Sequence, residues 1–214
     1  MNTALPKIWN TTFTDHTINV RKMDFHLAEN GVQTRVLLGR EFKWPTGKSL
    51  PANLIPEYIF FYLKDLAKDY RAKTPDWVMI KDGIHVISEK FRDFLAGFDL
   101  GANEIFDVPL YEFDQKTPCP GRWFIFHLCE TKDTLVPEHS EGLKQSGLTP
   151  GFWMSKLAQN DVLAVKASSA EGADIWLDLH MDGRIFLSDR LKSALKPAGI
   201  RVLKMPIRPC VVVA

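Results

Sequence analysis

The chain has 214 residues, enough to bury about 70% of the surface its unfolded form exposes, so it needs no disulfide or metal staple. Hydrophobic residues make up 45% and charged residues 25%, which excludes disordered, collagenous and coiled-coil chains. Lysine plus arginine number 27 against 26 for aspartate plus glutamate, so the basic excess of a dedicated nucleic-acid or anionic-membrane binder is missing.

The first residues, Met1 to Trp9, lack the basic start and apolar stretch of a secretory signal. The densest apolar run, Tyr58 to Leu63, falls far short of the ~20 residues that span a bilayer. Cys119, Cys129 and Cys210 form an odd, sparse set without a C-x-x-C pair, a poor framework for disulfides or zinc. A cytoplasmic chain with reduced thiols is expected, without a membrane or nucleic-acid partner.

The first fifty residues read as strands and loops. Val32 to Leu38, β-branched and aliphatic between Gly31 and Gly39, predicts a strand. Lys43 to Pro51 is a loop by its proline and glycine. From Glu57 to Tyr70, apolar residues at Ile59, Phe60, Leu63, Leu66, Ala67 and Tyr70 recur at three and four. That spacing predicts an amphipathic helix with Pro56 at its mouth.

The chain then resembles itself. Asp82 to Leu95 aligns with Asp182 to Leu195 at an offset of one hundred, with Asp, Gly, Ser and Leu identical. Upstream, Trp77-Val78-Met79-Ile80 parallels Ile175 to Leu179; downstream, Phe106 to Leu110 parallels Leu203 to Ile207. Asp-Gly between apolar runs supplies the positive φ of a tight turn. Ser88 and Ser188, each before an acidic residue and a helical pattern, are N-caps. Gly97 and Gly199 stand where the helices should stop. The expected fold is α+β: two related strand–turn–strand–helix–strand units behind a β-rich N-terminal portion. They form either two lobes or one pseudo-symmetric sheet. The segments are 1–75, 76–135 and 136–214, or one continuous domain.

Several chemical motifs fail on inspection. Thr46-Gly47-Lys48-Ser49 has the end of a phosphate-binding loop, but Phe42 replaces its first glycine, Trp44 and Pro45 stiffen it, and Pro51 removes a donor from the following turn. Asp178-x-His180-x-Asp182-Gly183, with Asp189 at position twelve, follows a calcium loop, but His180 is the wrong ligand for a hard cation. The six histidines, among them His85 and His127, lack metal-ligand spacing, and no nucleophile elbow or dinucleotide-binding glycine motif exists. Cys119, between two prolines, has no neighbouring base. No catalytic residue, metal or cofactor is expected. Aromatics beside proline and glycine are another matter, since tryptophan is enriched at interface hot spots. Phe42, Trp44, Lys48 and Trp153 are therefore the candidate partner-binding residues, on loop context alone.

Phe186-x-Ser188-x-x-Leu191-x-x-Ala194-Leu195-x-x-Ala198-Gly199-Ile200, with Ile87-Ser88-Glu89-Lys90-Phe91 upstream, resembles the eleventh immunity-protein family of bacterial polymorphic toxin systems, formerly a domain of unknown function. Pro197 and Arg201 depart from its pattern at the helix end. The resemblance implies a non-enzymatic antidote that binds a cognate toxin protein. Two alternatives stay open: a small enzyme that reverses the toxin's modification, with His85, His180 and Asp182 gathered on paired hairpins, and an adaptor unrelated to toxins.

Overall fold

The computed structural model describes residues 5–28, 31–43, 47–64, 66, 70, 73–147, 149–156, 161–181 and 183–214, and its strands and helices make an α+β fold. Two central sheets share one plan. In the first, the strands lie in the order Trp77–Met79, His85–Ser88, Trp123–His127, Glu104–Val108. In the second, the order is Ile175–Asp178, Ile185–Ser188, Ile8–Thr11, Ile207–Pro209, with Thr131–Lys132 added in parallel beyond Ile175–Asp178.

The registers correspond residue by residue. Trp77 faces Ile87 as Ile175 faces Leu187. Ser88 faces Trp123 as Ser188 faces Ile8, and Ile105 faces Phe126 as Ile207 faces Thr11. The offset is therefore 98 before the turn (Trp77 to Ile175), 100 through the helix (Ser88 to Ser188) and 102 after it (Ile105 to Ile207). This corrects the downstream alignment of Phe106 with Leu203. The second copy carries two more residues in its turn and an extra Lys196-Pro197 after its helix. Its third strand comes from the far N-terminal end of the chain, where sequence comparison within the repeat could not look.

Alternation of side chains across each strand sorts the core into three layers. Trp77, Met79, Ile87, Phe124 and Phe126 meet Ile175, Leu177, Ile185 and Leu187 between the sheets. Three α-helices have their bounds among the described residues: α1 (Val32–Lys43), α2 (Glu89–Leu95) and α3 (Asp189–Leu195). Phe91 and Leu95 of α2, with Leu191 and Leu195 of α3, complete the middle layer. The opposite face of the first sheet, through Val78, Val86 and Ile125, packs under α1 and a smaller sheet of Met23–His26, Tyr58–Phe61 and Leu110–Tyr111. The opposite face of the second, through Ile8, Trp176 and Phe186, meets Leu135, Leu163, Val165 and Met181.

Two expected elements are exchanged. Val32 to Leu38 is not a strand but most of α1, which buries Leu38 and Phe42 four residues apart and leaves Val32 and Val36 exposed. Glu57 to Tyr70 is not one helix: Tyr58–Phe61 is a strand that buries Ile59 and Phe61 alternately, paired on both edges. Residues 65, 67–69, 71 and 72 lie outside the described residues. A short apolar run satisfies both periods, and the free edge of Met23–His26 decides it in favour of the strand.

The copies also hold one another. Ser88 accepts the Phe91 amide as N-cap and donates to Asp76 Oδ1 at 2.8 Å; Ser188 accepts the Leu191 amide and donates to Asp174 Oδ1 at 2.5 Å. The other oxygen of each aspartate reaches across. Asp76 Oδ2 accepts the Arg201 amide at 2.7 Å, and Asp174 Oδ2 accepts the Asp99 amide at 2.8 Å. Backbone bonds repeat the exchange, Asp76 N–H to Arg201 O and Asp174 N–H to Asp99 O. Replacing Asp174 by alanine orphans an amide and the serine, so urea unfolding should show a loss of about 2–3 kcal/mol. Ser188→Ala, which removes the cap alone, should cost about 1 kcal/mol.

Candidate functional site

The outer face of the first sheet carries an unusual polar set. Glu104 lies opposite His127 in the antiparallel register, which brings their side chains to one face. Cys129 lies two residues beyond the end of the Trp123–His127 strand. Asn103 fixes this exit: its Oδ1 accepts the amides of Cys129 and Glu130, and its Nδ2 donates to Ile175 O at 2.8 Å. His127 and Cys129 are fully buried, and the Glu104 side chain is 25% exposed.

The segment after α1 closes over this set. Phe42, from the last turn of α1, places its ring 5.1 Å from that of His127. Glu104 Oε2 accepts the Leu50 amide at 2.8 Å and lies 3.3 Å from His127 Nδ1. Burial pushes the Glu104 carboxyl up, but the Leu50 amide, the Ser49 hydroxyl and His127 outweigh it and hold it below the usual carboxylate range. Gly47, at φ 71°, is the residue whose added Cβ would meet Thr131 Oγ1 at 3.3 Å. Leu50 is thus tied to the first sheet through Glu104, and Gly47 lies close against Thr131 of the second.

One ligand atom each from Glu104, His127 and Cys129 lie within 4.8 Å of one another, a set that could hold a metal ion. The signal in the sequence is His127-x-Cys129, at and just past the end of a strand. It is invisible as a motif because Glu104 joins only through strand pairing. Cys129 is no activated nucleophile: burial, with Glu104 and Glu130 nearby, pushes its thiol up to about 11.

The candidate partner residues separate. Phe42 is 7% exposed and belongs to the core, so its expected place in a surface loop is corrected. Lys48 is exposed on the loop that Glu104 anchors. Trp44 lies outside the described residues. Trp153, on the strand Trp153–Ser155, is half-buried against the third core layer and donates its amide to His180 O at 2.7 Å. Ser88 and Ser188 are helix caps, as above.

The histidines proposed for an enzyme do not assemble. His85 is buried among Phe13, Phe42 and Trp77, while His180 is exposed beside Phe152; Asp182 lies outside the described residues. Asp178 is spent on backbone, accepting the amides of Thr134, Leu135 and His180. Trp77 Nε1 donates to His85 Nδ1 at 3.1 Å, which requires that nitrogen to be unprotonated. Burial and then the neighbouring His127 push the His85 imidazole down to about 3.

Against known proteins, the immunity protein family (Imm11) matches residues 37–205. No curated protein matches the chain.

A folded-state imidazole at about 3, against its ordinary 6.5, means that the unfolded chain binds the proton first. Stability contributed by neutral His85 is complete above 6.5 and is lost as pH falls toward about 3. Urea titrations across that window should show a slope approaching about 1.4 kcal/mol per pH unit from this residue, and His85→Gln should flatten it.

Proposed function

Because the chain belongs to the immunity protein family (Imm11), whose match covers residues 37–205, we propose that it is a bacterial antidote that binds a cognate polymorphic toxin in the cytosol and neutralises it by occlusion, without chemistry of its own. Cys119, Cys129 and Cys210 are partly or fully buried thiols, which suit a reducing compartment. Among the described residues no helix is long and apolar enough to cross a membrane.

The observation that carries the contact surface is the solvent side of α1. Its exposed positions are Val32, Gln33, Val36, Leu37 and Arg40, and Val32 is 81% exposed. An apolar stripe rimmed by polar side chains is what a protein partner covers. The opposite side of α1 is fixed: Arg35 bonds Asp24 at 2.6 Å and Asp82 at 3.1 Å, and Leu38 and Phe42 are buried. We therefore place the toxin on this helix, with Lys48 at its margin; Trp44, outside the described residues, stays a candidate on its sequence context alone. Trp153, on another layer, is a contact only for a toxin that reaches around the second sheet. Phe42 supports α1 from beneath.

The test is co-expression with the toxin encoded beside it, read as growth rescue and co-purification. Val36→Glu and Lys48→Glu should each weaken the complex at least about tenfold, or about 1.4 kcal/mol, with unchanged melting temperature. Rescue of growth by a chain that forms no complex would overturn occlusion in favour of an enzyme that undoes the damage.

A further inference from the structure

We propose that Glu104, His127 and Cys129 form a binding site for one divalent transition-metal ion of the zinc class. Their ligand atoms already lie within 4.8 Å of one another. Tetrahedral zinc with bonds of about 2.0–2.2 Å to nitrogen and oxygen has N···O edges of about 3.3 Å. The His127 Nδ1 to Glu104 Oε2 separation is 3.3 Å, as long as such an edge and long for a charge-assisted hydrogen bond.

The imidazole decides which nitrogen would ligate. His127 is fully buried, and its Nε2 has no hydrogen-bond partner among the described residues. An ion held together with Glu104 binds through Nδ1, the nitrogen 3.3 Å from Oε2, and leaves Nε2 as the N–H. Charge balance favours the same occupant. A dication with one thiolate and one carboxylate sums to zero, so the site carries no net charge into the protein. Imidazole with thiolate selects zinc-class ions over magnesium or calcium.

The fold itself does not ask for these residues. The strand of the second sheet that corresponds to Trp123–His127 ends at Thr11, the counterpart of Phe126, before any position that would match His127 or Cys129. The same four-strand plan is built there without a ligand set. Binding forms a metal–sulfur bond, breaks the hydrogen bond that the Cys129 thiol donates to Ala102 O at 2.8 Å, and releases the thiol proton to solvent; nothing is oxidised or reduced. Glu104 also accepts the Leu50 amide, so an ion here clamps Leu50 to the sheet. This assignment does not depend on what the antidote binds.

The full-length protein, stripped with a chelator, desalted and kept reduced, is titrated with Co²⁺. One equivalent should bind, giving a thiolate-to-cobalt charge-transfer band and tetrahedral visible bands that Zn²⁺ abolishes. Cys129→Ser should lose the charge-transfer band, while Cys119→Ser and Cys210→Ser should keep it. A folded wild-type protein without the band, or a band that survives Cys129→Ser, overturns the assignment. Should Cys129→Ser fail to fold, X-ray absorption on the zinc-loaded wild type decides instead. One sulfur with nitrogen and oxygen neighbours supports the site, and a shell without sulfur overturns it.

Discussion

The reciprocal aspartate clasp is the interaction on which the rest depends. Asp76 and Asp174 each cap their own copy's serine and receive the backbone amide that leaves the other copy's helix. Neither half closes its own hydrogen bonds, so the two are obliged to fold against each other. Side chains repeat the exchange: Lys90 reaches Gly199 O at 2.5 Å, and Arg190 reaches Gly97 O at 3.4 Å. Burial pushes the Asp174 carboxyl up, but bonds from Arg190, Ser188 and the Asp99 amide outweigh it and hold it low. The acceptor therefore stays charged, which strengthens each bond it takes.

With the middle layer fixed by that exchange, the two outer faces are free to differ. On the second sheet, Asp161 accepts from Arg184 at 2.5 Å and from Ser155 and Arg208, and Arg184 also reaches Asn10 at 3.3 Å. Arg184 and the Asp161 carboxylate are buried, so this network is tolerable only because nearly every lone pair is used. The first sheet instead carries Glu104, His127 and Cys129 beneath α1. Duplicated backbone, divergent faces: one half spends its polar residues on closing the core, and the other presents a helix to solvent. The chain belongs to the immunity protein family, and the contact surface proposed for it lies on that helix.

The sequence by itself determined the parts governed by local chemistry. The Asp82-Gly83 turn takes positive φ at both residues, and Ser88 and Ser188 cap helices because a serine hydroxyl can satisfy an orphan amide three residues on. The likeness of Asp82–Leu95 to Asp182–Leu195 was legible for the same reason. The family resemblance rested on the second of those segments.

Tertiary structure decided what local pattern leaves degenerate. Val32 to Leu38 became helix because the first sheet offered a hydrophobic face for Leu38 and Phe42, and Tyr58–Phe61 became strand because an unpaired edge awaited it. Phe42 looked like a loop anchor and lies buried, since its neighbours are His127 and His85, more than forty residues away in sequence. Strand pairing alone brings Glu104 to His127 and the N-terminal strand to Ser188. Such pairings carry no trace in local composition, because their energy comes from surfaces that exist only once the two halves have clasped.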